Sequence, residues 1–76
     1  MNKERRLRLR EARKLIERAR EIVSACAKDE RACLNAMSIR VQFGDRGQQV
    51  EVAAEDLYDA AKALDEVGRS IAEAAA

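Results

Sequence analysis

The stretch that decides the fold is VEVAAEDLYDAAKALDEVGRSIAEAA, residues 50–75. Its large apolar residues recur at every seventh position, as Val50, Leu57, Leu64 and Ile71. Small residues form two adjoining rows with the same spacing: Ala53, Ala60, Val67 and Ala74, and then Ala54, Ala61, Gly68 and Ala75. Heptad spacing of this kind is typical of a helix that packs lengthwise against other helices. The stretch therefore predicts an all-α protein.

A first helix is predicted before this stretch, because apolar residues recur there three and four positions apart. They are Leu9, Ala12, Leu15, Ile16, Ala19, Ile22, Val23, Cys26 and Cys33. We predict a single domain over residues 1–76, with a helix over 3–34, a connection over 35–45 and a helix over 46–75. Asp45 would cap the second helix, and Gln48 would complete a loose capping box.

Pairing the large residues of the two helices predicts an antiparallel two-helix hairpin. In that register Leu9 meets Ile71, Ile16 meets Leu64 and Val23 meets Leu57, and the small residues meet each other between them. The alternative is an α+β fold, helix–strand–strand–helix. This alternative stays open because apolar and polar residues alternate on both sides of the loop 44–47. The apolar residues are Ile39, Val41 and Phe43 before the loop, and Val50 and Val52 after it.

A hairpin needs only one apolar seam per helix, and both helices carry more than that. Leu15 and Ile22 flank the seam of the first helix, and Ala54, Ala61 and Gly68 form a further row on the second. Such a surplus indicates that another helix covers it. We therefore predict a homodimer, an antiparallel four-helix bundle whose dimer interface contains Leu15, Ile22, Ala54, Ala61 and Gly68.

Composition argues against several classes of protein. No run of 18 apolar residues is present, so we expect no membrane-spanning helix. The basic N-terminal segment lacks the apolar region of a secretory signal, so a cytoplasmic location is expected. Two Cys without any His do not make a conventional zinc site, and we interpret Cys26 and Cys33 as small core residues. Without a nucleophile–base pair or a phosphate-binding loop, we expect no enzyme and no cofactor.

Charge is unevenly distributed along the chain. Residues 1–20 hold nine Lys/Arg against three Glu, a net charge of +6, and the remaining residues hold six against eleven acids, a net charge of −5. One interpretation is a surface for nucleic acid or an acidic partner, formed by Arg5, Arg6, Arg8, Arg10 and Arg13. The other is pairing within the protein, in which Arg10, Arg13 and Lys14 approach Asp65, Glu66 and Glu73.

The connection holds the chain's only cluster of bulky residues outside a predicted helix. Met37, Ile39, Arg40 and Phe43 cluster there, and binding residues are frequent in connecting segments. We predict that these four residues bind a protein partner.

The chain resembles a family of small helical-hairpin proteins common in phages, prophages and other mobile elements. The residues that carry the resemblance are Asn35, Val41-Gln42, Asp45-Arg46-Gly47 and the apolar heptads from Val50 to Ile71. The chain departs from the family pattern because it lacks a Pro after Asn35 and alternates over 39–43. The resemblance implies a mobile-element context and no particular activity.

These observations give two hypotheses of function. The first is a non-catalytic protein-interaction module, and the mobile-element context implied by the resemblance suggests that it binds and blocks a host defence protein. The alternative is a small nucleic-acid-binding protein that uses its basic N-terminal helix.

Overall fold

A computed structural model of residues 1–76 shows three helices and no strand. They are α1 (Lys3–Ala36), α2 (Ile39–Gln42) and α3 (Asp45–Ala75). The all-α prediction is confirmed. The two long helices pack against each other lengthwise, and the molecule is a thin rod whose Cα atoms span 58 × 14 × 13 Å.

The two long helices run in opposite directions. Arg20 in the middle of α1 reaches Asp65 of α3 with a nitrogen–oxygen distance of 3.0 Å. Arg6, near the start of α1, lies beside Ala75 at the end of α3. The rod therefore has one end formed by α2, which we call the tip, and one end where α1 begins and α3 finishes.

The seam between α1 and α3 is narrow. Only four residues of the 76 are buried, and three of them are apolar core residues, Ala27, Leu34 and Ala54. The large residues of the seam are half-buried: Leu9, Ile16 and Val23 on α1, and Val50, Leu57, Leu64 and Ile71 on α3. A single layer of contacts between two helices leaves the outward part of each such side chain uncovered.

Of the two rows of small residues on α3, the row containing Ala54, Ala61 and Gly68 faces α1. Ala54 is fully buried, Ala61 and Gly68 are half-buried, and a Cβ at position 68 would lie 3.8 Å from Cγ2 of Ile16. Small residues here let the helices approach, with Ile16 over Gly68. The predicted dimer interface is corrected accordingly, because these three residues are used within the chain.

The cysteines are not core residues, and that prediction is wrong. Both Cys26 and Cys33 are exposed, and the seam is occupied by Ala27 and Leu34, each one position further on. The reason is the helical period: a straight helix drifts by about 20° per heptad, so the buried row changes along α1.

The residues between the long helices form a helical turn, so the β-hairpin alternative is wrong. Ser38 caps α2, its Oγ accepting a hydrogen bond from the Val41 amide at 3.4 Å. An isolated two-stranded hairpin is only marginally stable in water. When residues 45–52 are helical, Val50 is half-buried in the seam, which stabilises the helical form. The cap of α3 is Gly44, and Asp45 lies in the first turn instead of preceding it.

Candidate interaction surfaces

The tip presents two bulky apolar side chains to solvent. Ile39 is 74% exposed and Phe43 is 79% exposed, the largest values among the large apolar residues of the chain. They are four positions apart and the amide of Phe43 donates to the carbonyl of Ile39 at 3.2 Å, so both side chains lie on one face of the turn. Of the other predicted partner-binding residues, Arg40 is exposed and Met37 is half-buried.

The backbone under these side chains is held firmly. The Gln42 side chain donates from Nε2 to the carbonyl oxygen of Met37 at 2.9 Å, which ties α2 to the end of α1. On the other side the backbone of Gln42 lies directly against Gly47, with no room for a Cβ there. The tip is therefore a fixed platform, which reduces the entropy lost when a partner binds.

A second apolar surface runs along one long side of the rod. On α1 it contains Leu15, which is 67% exposed, and Ile22, which is 50% exposed, and these were two of the predicted interface residues. Because successive residues turn by about 100° around a helix, Ala12, Ala19 and Cys26 share that side. The charged residues Arg13 and Glu17 lie on the opposite side of the seam.

The α3 half of this surface was missed from the sequence. Leu9 lines one groove together with residues of α3, namely Ala63, Glu66, Val67, Ser70, Ile71 and Ala74. Val67 is 46% exposed, and Ala60 and Ala63 are also exposed beside it. We call this surface the side face: Ala12, Leu15, Ala19, Ile22 and Cys26 of α1 with Ala60, Ala63, Val67 and Ala74 of α3. The heptad spacing of Ala60, Val67 and Ala74 indicates that these residues pack against another helix. It does not indicate whether that helix is α1 or belongs to another chain.

The opposite long side of the rod is a charged groove. Arg10, Arg13 and Lys14 of α1 line it together with Arg69 of α3. Arg6 continues the same line towards the end of α3, where it lies with Arg10 and Arg13 beside Ala72 and Ala75. We call these five residues, Arg6, Arg10, Arg13, Lys14 and Arg69, the basic groove.

The structure brings together only some of the predicted basic surface. Arg6, Arg10 and Arg13 share the basic groove, whereas Arg8 is paired with Glu4 at 3.2 Å. Arg5 does not line the groove. Lys14 and Arg69 were not among the residues predicted for this surface, since their proximity depends on the register of the two helices.

No known protein family, curated protein or solved structure matches this chain. The three surfaces therefore have to be interpreted from their own chemistry. No cluster of three or more metal-ligating side chains is present. None of the helices has the length and apolar character needed to cross a membrane.

Proposed function

We propose that this chain is a non-catalytic protein-interaction module, which dimerises through the side face and binds a partner protein through the tip. The proposal is supported by the exposed apolar residues of the side face, Leu15, Ile22 and Val67, and by the large total surface of the rod. The chain exposes 5910 Å², whereas a compact monomer of 8.5 kDa exposes about 4,700 Å². The difference, about 1,200 Å², exceeds the roughly 800 Å² that each partner buries in a standard interface.

A second copy of the chain is the occupant that fits the side face. Along α1 this face reads Arg8, Leu15, Ile22 and Asp29 at intervals of seven residues. It therefore has an apolar centre, an acidic end at Asp29 and a basic end at Arg8, whose guanidinium also contacts Glu4 of the same chain. Two copies packed antiparallel place the basic end of each beside the acidic end of the other, whereas a parallel pair places like charges together. The result is an antiparallel four-helix bundle.

The dimer is tested by sedimentation equilibrium at micromolar concentrations. We expect a mass of two chains for the unchanged protein and of one chain for Leu15→Glu, because a carboxylate in the side face would be desolvated without a partner. Leu7→Glu is the matched control, since Leu7 is as exposed as Ile22 but faces away from the seam. A single-chain mass for the unchanged protein would contradict the proposal.

Charge reversal tests the orientation. Asp29→Lys should reduce the free energy of dimerisation by about 1–2 kcal/mol in total. The effect is doubled because each symmetric dimer contains two copies of the contact between Arg8 and Asp29. Adding Arg8→Glu to the same chain should restore most of the loss. If the double variant is as weak as the sum of the single variants, the antiparallel arrangement is wrong.

The tip is the surface that we assign to the partner. In an antiparallel bundle the two tips lie at opposite ends, so each Ile39–Phe43 pair remains free to enter an apolar pocket of another protein. The resemblance to phage and mobile-element proteins leads us to propose a host protein, such as a component of a defence complex, as the one that is bound and blocked.

Photo-crosslinking tests this assignment. A photoreactive phenylalanine analogue at position 43 should crosslink to one host protein in the cell, and the same analogue at Tyr58, an exposed aromatic position on α3, serves as the control. The purified partner should then bind the unchanged chain and lose at least tenfold in affinity with Ile39→Asp, but not with Val52→Asp. Equal binding by both variants would exclude the tip as the contact.

A further inference from the structure

The basic half of α1 is largely unpaired. The chain contains three ion pairs, Arg8–Glu4 at 3.2 Å, Arg18–Glu21 at 3.4 Å and Arg20–Asp65 at 3.0 Å. Only the last of these joins α1 to α3. Six of the nine cations in residues 1–20 have no carboxylate within 4.0 Å: Lys3, Arg5, Arg6, Arg10, Arg13 and Lys14. Internal pairing therefore does not account for the charge of this segment.

The basic groove brings together unpaired cations from both helices. Arg10, Arg13 and Lys14 face Arg69 across it, and its two carboxylates are those of Glu17 and Asp65. The carboxylate of Asp65 is already bound by Arg20. Together with Arg20, the five residues of the basic groove make six cations against these two acids, a net charge of +4.

The C-terminal end of α3 neutralises only part of the positive charge of the basic groove. Arg6, Arg10 and Arg13 lie beside its last turn, which contains no basic residue of its own. The carbonyl groups at a helix C-terminus are equivalent to roughly half a negative charge. That partial charge and the carboxylate of Ala76 together do not balance three guanidinium groups, so the groove keeps a net positive charge that can attract a further anion.

We propose that the basic groove binds the phosphate backbone of double-stranded nucleic acid without reading its base sequence. Residues 6–14 of a straight helix rise about 12 Å, and each strand of a DNA duplex carries one phosphate per about 3.4 Å of the duplex axis, so several phosphates lie within reach of the groove. Guanidinium groups bind phosphate oxygens through two parallel hydrogen bonds. A duplex is favoured over a single strand because no aromatic residue lines the groove for base stacking.

An acidic protein is the less suitable ligand for this groove. Protein interfaces derive most of their binding energy from buried apolar or aromatic anchors. The exposed bulky residues of this chain, including Leu15, Ile22 and Val67, lie outside the groove. The groove and the side face are on opposite sides of the rod, so this proposal does not depend on the dimer or on a partner at the tip.

The test is fluorescence anisotropy of a labelled 20-base-pair DNA duplex titrated with the full chain. With about four phosphates neutralised, the logarithm of the affinity should fall with a slope of about −3.6 against the logarithm of salt concentration. Between 50 and 200 mM KCl this slope corresponds to a loss of about 150-fold. Two duplexes of unrelated sequence should bind within a factor of three of each other.

Two double variants of equal charge separate the groove from the net charge of the chain. Arg10→Gln with Arg13→Gln should lower the salt slope by about 1.8, because two phosphate contacts are lost. Arg46→Gln with Lys62→Gln removes the same charge from exposed positions outside the groove and should leave the slope unchanged. Circular dichroism would verify that both variants remain helical.

Three results would overturn the proposal. The first is no binding of either duplex at 50 mM KCl. The second is an equal loss of slope in the two double variants, which would indicate a diffuse charge effect. The third is tighter binding of a polyglutamate peptide than of DNA under the same conditions, which would assign the groove to an acidic protein.

Discussion

Replacing Gly47 by alanine is expected to destabilise the protein, although alanine is the better helix former. Gly47 is buried in the first turn of α3, against the backbone of Gln42 in α2. A Cβ at position 47 would lie 2.5 Å from both the carbonyl carbon and Cα of Gln42. Carbon atoms in contact are normally about 3.5–4.0 Å apart. The tip would therefore have to move by about 1 Å, because a backbone cannot rotate out of the way as a side chain can.

The cost of such overpacking is about 1–3 kcal/mol, and the gain in helix propensity is about 0.5–1 kcal/mol. We therefore expect Gly47→Ala to lower the free energy of unfolding by about 1–2 kcal/mol. Urea unfolding followed by circular dichroism at a fixed protein concentration measures this change.

Gly68→Ala is the matched control for the Gly47 variant. At position 68 the new Cβ would lie 3.8 Å from Cγ2 of Ile16, an ordinary van der Waals contact, so only the propensity gain of about 0.5–1 kcal/mol should remain. The two substitutions are chemically identical, but they should change the free energy of unfolding in opposite directions. The reasoning is refuted if Gly47→Ala is as stable as the unchanged protein or more stable.

Three further changes test the packing. Leu34→Ala should cost about 2–3 kcal/mol in thermal unfolding, because Leu34 is the one large residue that the seam buries. Ser38→Ala should remove the cap of α2 at a cost of about 1 kcal/mol and increase hydrogen exchange at the Val41 amide. Arg20→Gln should change stability by less than about 1 kcal/mol, because the Asp65 side chain it contacts is 52% exposed. A coupling energy well above that value, from a double-mutant cycle with Asp65→Asn, would contradict this estimate of the ion pair.

The sequence identified the helices but not the side on which each helix packs. Heptad spacing over 50–75 specified a long helix with Leu57 and Leu64 in its seam, as the structure shows. Two rows of small residues flank that seam, and both have the same period. The structure places the row of Ala54 and Gly68 inside, because Ala54 is fully buried and Gly68 lies against Ile16. The choice between the rows depends on how far α3 is rotated about its own axis, which changes no local property of the helix, so periodicity alone could not predict it.

The tip shows a similar limit. The alternation of Ile39, Val41 and Phe43 is a legitimate strand pattern, and five residues are too few to separate a strand from a helical turn. The decision depends on Ser38 as a cap and on the absence of a side chain at Gly47, which lets α2 approach α3. Glycine disfavours a helix by its propensity, yet Gly47 is what permits the turn.

The two long sides of the rod differ in the chemistry that they present. The side face carries Leu15, Ile22 and Val67, while the cations of the basic groove lie across the seam from it. A dimer formed through the side face would turn both basic grooves outward, and its antiparallel order would place them near opposite ends of the bundle. Each binding event would then proceed without displacing the other. A side-face variant that is monomeric but still helical thus provides the direct means of measuring one groove alone.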